Sequence, residues 1–349
     1  MSKGSYIIPI FVPHDGCPFD CVFCNQRKIT GLETSMDAAM VKDIIEEYKI
    51  TIGEKSNKHI EVAFFGGSFT GIDMNIQNQL LSVAKRYKDD GYIDDIRLST
   101  RPDYIDNKIL ENLIAMGVSV IELGVQSLNQ EVLDKSNRGH TKQDVVKASK
   151  LIRNKGIKLG LQMMVGLPGD TLETVIETAK GIIQCLPSFV RIYPTLVVKG
   201  TALEKQYENG QYKALEVEDR DQTSYTAYSL FVENNIKVIR VGLQPTDHIS
   251  LGNDVVAGPF HPSIRQLVEG KIILDRILCF LGERKFANLV VRINNKKISQ
   301  LVGNKKTNYI LLKNKYPNSR ITFKSDEDIA SNKLVIEIDN EVTTVDLLI

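Results

Sequence analysis

Short apolar runs alternate with stretches of helical period along most of the chain. The runs Tyr6–Val12, Ile60–Phe65, Asp95–Ser99, Val118–Leu123, Lys158–Val165 and Phe189–Tyr193 read as strands. Helices are predicted near Asp37–Ile52, Gln77–Lys88, Asn107–Met116, Lys142–Lys155, Leu172–Gln184 and Asp219–Asn234. Each strand is apolar for most of its length, as strands of a parallel sheet covered on both faces should be. Six strand–helix units predict an α/β fold, a partial (β/α)6-type TIM-like barrel. Lys237–Leu243 is a further strand candidate, and a helix is expected near Ser263–Phe280. A boundary is expected near Gly282–Lys285, dividing a core of residues 1–284 from a small α+β module of residues 285–349. In that module Asn288–Ile293, Arg320–Phe323, Lys333–Ile338 and Val342–Leu347 read as strands, with one helix near Ser299–Lys315.

Polar or glycine-bearing segments follow the carboxyl ends of the first five strands: the cysteine loop, Phe65–Phe69, Ser99–Asp103, Gly124–Ser127 and Gly166–Asp170. Barrels of this kind build their sites from such loops, so one rim is expected to carry the chemistry. Composition adds bounds. The chain of 349 residues can form an enzyme; with 42% hydrophobic and 25% charged residues and no long apolar stretch, it reads as a cytoplasmic protein with no membrane span. A net charge of +1 means that any attraction to nucleic acid must be local.

Three of the five cysteines, Cys17, Cys21 and Cys24, fall within eight residues. An odd count, and a start that runs into an apolar strand without a cleavage-site pattern, argue against a disulfide framework. Soft thiolates crowded on one loop suit zinc or an iron–sulfur cluster. Zinc would need a fourth ligand such as His14 or His59, whereas a cluster held by three cysteines keeps one metal position open. On the cysteines alone both remain, including a non-enzymatic module shaped by its metal. Cys185 and Cys279 lie in apolar helical settings and are expected to be buried and inert.

The pattern Cys-x-x-x-Cys-x-aromatic-Cys, matched by Cys17, Cys21, Phe23 and Cys24, resembles the hallmark of the radical S-adenosylmethionine (SAM) superfamily. Leu123–Leu128, Gly166–Thr171 and Tyr193–Thr201 are most similar to its Elongator catalytic-subunit branch, and next to the oxygen-independent coproporphyrinogen oxidases. The resemblance implies a four-iron, four-sulfur cluster on the three cysteines, with SAM on the fourth iron. Reductive cleavage of SAM to a 5′-deoxyadenosyl radical would then abstract a substrate hydrogen, with electrons from a donor such as a ferredoxin or flavodoxin. Carried over by position, it assigns Gly66 and Gly67 to the SAM amino group, with Ser68 at the cofactor site where the family often has Glu, Gln126 to the ribose and methionine, and Arg138 to the carboxylate. Phe23 falls near the adenine and Gln162 near ribose hydroxyls. Thr100 and Arg101 lie on the rim, where Arg101 can face the SAM carboxylate or pair with Asp103.

The branch implies RNA, transfer RNA above all, as substrate; the coproporphyrinogen-oxidase likeness implies a small molecule or tetrapyrrole instead. The acetyltransferase domain of Elongator subunits does not fit in the hundred or so residues after the six units. His261 and Asp247 are substrate candidates near the barrel mouth, although a histidine between aromatic and proline residues is more often packed or capping the next helix. Between Lys296 and Arg320 lie Lys297, Lys305, Lys306, Lys313 and Lys315 with Tyr309 and Tyr316 interleaved and no acidic residue, a pattern suited to RNA phosphates and base stacking and equally to a solvated helix face.

Overall fold

A computed structural model describes residues 4–12, 20–25, 36–215, 222–243 and 252–347. Seven parallel strands form its main sheet: β1 (Gly4–Val12), β2 (Lys58–Gly66), β3 (Asp95–Thr100), β4 (Val118–Gln126), β5 (Lys158–Val165), β6 (Phe189–Pro194) and, after the two-residue strand β7 (Val197–Val198), β8 (Lys237–Val241). Their spatial order follows the chain, and each parallel step is made by a crossover. The six expected strands are all present, and the Lys237 candidate joins the same sheet as a seventh.

The crossover helices are set by local chemistry. Asp37 caps α1 (Ala38–Ile52), Asp73 caps α2 (Met74–Asp89) and Asp106 caps α3 (Asn107–Ala115), each side chain accepting from a backbone N–H of the first turn. A short helix α4 (Gln130–Lys135), not expected from periodicity, follows β4. Thr141 and Thr171 form capping boxes at α5 (Lys142–Asn154) and α6 (Leu172–Gln184). Another short helix, α7 (Ala202–Glu208), precedes α8 (Gln222–Glu233). The outer face of the sheet packs its apolar residues, among them Ile8, Phe64, Leu98 and Leu123, into one core with these helices. A strand β9 (Val255–Ala257) pairs antiparallel with β7 beside that sheet.

Helix α9 (Ile264–Leu281) belongs to two cores. Ile264, Val268 and Ile272 pack into the barrel core, whereas Ile273, Leu274, Ile277 and Leu281 pack into a second one with the C-terminal strands. Those strands, β10 (Asn288–Ile293), β11 (Arg320–Ser325), β12 (Lys333–Ile338) and β13 (Glu341–Asp346), form a mixed sheet in the order β11-β10-β12-β13. The single helix expected over Ser299–Lys315 is instead two, α10 (Ile298–Val302) and α11 (Thr307–Lys315). Gly303 breaks it at φ +78°, where an added Cβ would lie 2.6 Å from the Thr307 hydroxyl, and Lys305 and Lys306 follow in the left-handed region. No described helix is long and apolar enough to cross a membrane.

Candidate active site

A cleft opens at the carboxyl ends of the strands. Its walls are Cys21, Phe23, Cys24, Gly66, Gly67, Ser68, Ser99, Thr100, Arg101, Gly124, Gln126, Arg138 and Gln162. The described residues expected to hold the cofactor therefore meet in one place, whereas the Gly166–Asp170 loop, also expected on the rim, does not line this cleft. Cys17 and Asp247 lie outside the described residues. Ser99 and Gly124 belong to segments flagged in the sequence, and here they line the cleft themselves.

Backbone geometry opens this space. Gly66 sits at φ +116°, and a Cβ there would come within 2.2 Å of the Val12 carbonyl oxygen, so the turn into Gly67 excludes any side chain. The Gly67 N–H donates to that same oxygen at 3.2 Å. A Cβ on Gly124 would approach Arg138 Nη2 to 2.8 Å, the nitrogen that instead donates to the Gly124 carbonyl at 2.8 Å. Gln126 stands at φ +65°, beside a register shift between β4 and β5, and its Oε1 is buried without a hydrogen-bond partner among the described residues. A strained non-glycine residue carrying an unsatisfied oxygen in a cleft is a mark of function rather than of stability.

The cysteine loop is gripped by the chain segments after β4 and β6. Cys24 N–H donates to Cys21 O at 2.9 Å, closing a tight turn. From one side, Asn137 Nδ2 donates to Asp20 O at 2.9 Å, Val22 N–H donates to Ser136 O at 3.1 Å, and Arg138 Nη1 lies 3.6 Å from Cys21 Sγ. From the other, Leu203 N–H donates to Val22 O at 2.8 Å and Asn25 Nδ2 to Lys199 O at 3.2 Å. Asn137 was missed in the sequence. Its signal was the left-handed turn of the Ser136–His140 run, where Asn137 and Gly139 both take positive φ.

Arg138 is 7% exposed, and its Nε has no partner among the described residues. His140 is buried beside it, with Nε2 3.1 Å from Val125 O; burial first, then the nearby Arg138 and Arg101 charges, push its pKa down to about 3. The ring is therefore neutral at physiological pH, and Nε2 carries the proton that Val125 O accepts. Of the two alternatives for Arg101, the structure has it paired with Asp103, Nη2 to Oδ2 at 2.9 Å, within the cleft wall. Thr100 Oγ1 lies 2.6 Å from Thr70 Oγ1, tying β3 to the loop after β2.

Beneath the cleft, the inward positions of the strands carry charge. Arg97 pairs with Glu61 and, through Nη1 at 2.6 Å, with Glu122, which is wholly buried. Arg191 grips Glu122 with Nε at 2.8 Å and Nη2 at 2.9 Å. Gln162 Nε2 donates to Glu122 Oε2 at 2.9 Å, orienting its amide at the edge of the cleft. Burial raises the Glu61 carboxyl above the usual range, against the opposing pull of Arg97. Glu61, Arg97, Glu122 and Arg191 were missed, although isolated charges inside apolar strands, repeated at corresponding positions, are the trace that such a network leaves.

The other candidates lie elsewhere. His261 lines a separate small hollow with Pro194, Gly242 and Phe260, and its Nδ1 accepts from Ser263 N–H at 3.0 Å, the capping alternative. Lys305 and Lys306 are exposed. Lys313 donates to Pro317 O at 3.1 Å and Ser319 O at 2.7 Å, so it ties down the turn after α11 rather than standing free. Tyr309 packs edge-on against Phe323, and Tyr316 against Phe286 with its hydroxyl donating to Gly282 O at 2.9 Å, so both rings are held in place by the second core. Cys185 is buried as expected, but Cys279 is exposed, because it falls on the outer side of α9.

The thiols, the glycine cradle and the unsatisfied Gln126 and Arg138 atoms suit a cluster with a polar, zwitterionic ligand. Comparison with known proteins agrees. The chain matches the radical SAM superfamily over residues 11–182 and the radical SAM C-terminal domain over residues 187–273. It is 26% identical over 256 residues to the tRNA uridine(34) acetyltransferase of Methanocaldococcus jannaschii, covering 62% of this chain and 47% of that protein. Human Elongator complex protein 3 is 35% identical over 127 residues, covering 36% of this chain and 23% of that protein. The chain thus spans about half the length of the acetyltransferase it matches, and less of the Elongator protein. In fold it resembles the archaeal Methanocaldococcus infernus Elp3 with its N-terminus deleted, with a TM-score of 0.60 and 21% identity, over 81% of this chain and 65% of that one. Family match, barrel and cleft agree, and the chain belongs to the radical SAM superfamily of enzymes, with its likeness in the Elongator branch.

Proposed function

We propose that Cys17, Cys21 and Cys24 hold a four-iron, four-sulfur cluster and that the adjoining cleft binds SAM for radical modification of RNA. The observation that carries this reading is the meeting of two of the thiols with Gly66, Gln126 and Arg138 in a single cleft. When bound, the cluster supplies the electron that cleaves SAM to methionine and a 5′-deoxyadenosyl radical. The chain's own part is to hold and orient. Gly66 and Gly67 let backbone approach an amino group, Arg138 offers a guanidinium to a carboxylate, and Gln126 Oε1 offers an acceptor to a hydroxyl or ammonium. Ser68 stands at the cleft where a carboxylate would be expected to meet the ammonium, so Gln126 is left as the acceptor.

RNA is supported by the name of the archaeal relative, which acts on a tRNA uridine, and by the exposed pair Lys305 and Lys306. Anaerobic reconstitution followed by reduction with SAM tests the chemistry: 5′-deoxyadenosine should form, and Cys21→Ala should abolish it. A colourless protein holding one tight zinc would end the reading. For the RNA, Lys305→Glu with Lys306→Glu should weaken tRNA binding and reduce its salt slope by about 1 to 2. Salt-insensitive binding of a small substrate instead would exclude RNA.

A further inference from the structure

The strained turn at Gln126 is held from outside its own strand. Register between β4 and β5 passes from Gly124 to Gln126 and skips Val125, the extra residue of a bulge. Ser127 N–H donates back to Val125 O at 2.9 Å, across Gln126 at φ +65°. A hydrogen bond closed over one residue of positive φ is a γ-turn of the rare, strained hand. A residue with a side chain stays there only when its surroundings over-determine it. Downstream, Thr178 Oγ1 of α6 accepts from Leu128 N–H at 3.0 Å and lies 3.2 Å from Ser127 Oγ. Upstream, His140 Nε2 donates to Val125 O at 3.1 Å, the same oxygen that closes the turn.

The histidine is itself rigidly placed. It is 1% exposed and stands one residue before Thr141, whose capping box fixes the start of α5. Its Nδ1 is buried without a hydrogen-bond partner among the described residues. A buried polar atom left unpaired costs stability, so an apolar ring would suit the packing better. What the imidazole adds is one N–H at Val125 O. The turn it braces aims Gln126 at the cleft: the side-chain Nε2 lies over Gly124, 3.1 Å from where a Cβ there would sit, while Oε1 has no partner among the described residues.

We infer that His140 is a positioning residue: by holding Val125 O it keeps the Gln126 turn closed, and so sets the acceptor that Gln126 offers to the cofactor. This deepens the SAM reading above and rests on it. The test uses the full reconstituted chain with its cluster oxidised, so that bound SAM is not cleaved, and reads the SAM dissociation constant by calorimetry beside iron content. His140→Leu should raise the constant about fivefold, by loss of one hydrogen bond's hold on the turn. His140→Gln, whose amide can still donate, should stay within about twofold of wild type. In a Gln126→Ala background, itself weakened for SAM, His140→Leu should shift the constant by less than about twofold, because nothing is left to position. Iron content should match wild type throughout; if the leucine variant fails to load iron, His140→Asn, polar but too short to reach Val125 O, takes its place. Equal losses from His140→Leu in both backgrounds overturn the inference and assign the residue to the scaffold or to Arg138. A glutamine variant as weak as the leucine one overturns it too, as does a SAM constant unmoved by either His140→Leu or Gln126→Ala. A wild-type chain that loads its cluster yet binds no SAM removes the cofactor reading itself, and the inference with it.

Discussion

Two layers of the same half-barrel are built on opposite terms. In the floor, Glu61, Arg97, Glu122 and Arg191 are buried and bound to one another, two acids against two bases. In the cleft above it, Gln126 Oε1 and Arg138 Nε are buried with no partner among the described residues, and backbone is held at positive φ. A protein can hold buried charge cheaply only when it is paired, whereas polar atoms left unpaired are ready for a ligand. The difference separates what stabilises the barrel from what the barrel stabilises.

The sharpest way to break this contrast is Glu122→Ala. It strands the Arg191 guanidinium and takes from Arg97 one of its two carboxylates, and removal of one partner of a buried ion network costs about 3–5 kcal/mol. The midpoint of urea unfolding should fall accordingly; a midpoint near wild type would mean that the floor is not structural. Next comes Gly66→Ala, where positive φ and the Val12 oxygen oppose a methyl group, at a cost of about 1–3 kcal/mol. Because this cost falls on the cleft, calorimetric SAM affinity should drop on the order of tenfold or more, the equivalent of about 1.4 kcal/mol. Equal affinity would remove Gly66 from the cofactor site.

Asn137→Ala removes the hydrogen bond to Asp20 O, worth about 0.5–1.5 kcal/mol. Thermal unfolding should hardly move, but iron should be lost severalfold faster to a chelator, followed by absorbance; iron retention equal to wild type would show that the grip on the cysteine loop is dispensable. At neutral pH the smallest effect concerns His140, whose titration shows only in acid. Its pKa is depressed to about 3 in the fold and is near 6.5 when unfolded, so the unfolded chain binds the extra proton between these values. Stability from this group is complete above about pH 6.5 and is lost progressively as pH falls towards 3. His140→Gln should flatten that part of the melting temperature profile, and an unchanged slope would place the sensitivity elsewhere.

Much of this architecture was legible because parallel strands covered on both faces announce themselves as apolar runs, and because the site is assembled from loops that follow them. Phe64 and Leu98 could be read directly from periodicity. Glu122 and Arg191 could not, since their meaning lies in register between strands far apart in sequence, and only pairing reveals it. The break at Gly303 was visible as a glycine, yet two consecutive left-handed lysines after it contradict their residue type and are decided by the packing of the second core. Asn137 was passed over for a related reason: its side chain acts on Asp20, more than a hundred residues earlier.

Helix α9 carries a consequence for engineering the protein. One half of its apolar stripe is sealed by the barrel and the other by the C-terminal sheet, so the two bodies share a spindle. Cutting the chain after Leu281 would bare Ile273, Leu274 and Ile277 to water, an adhesive stripe rather than a clean end. Melting of either body should therefore tug on its neighbour, and any exchange of the tail for another must bring its own cover for that stripe.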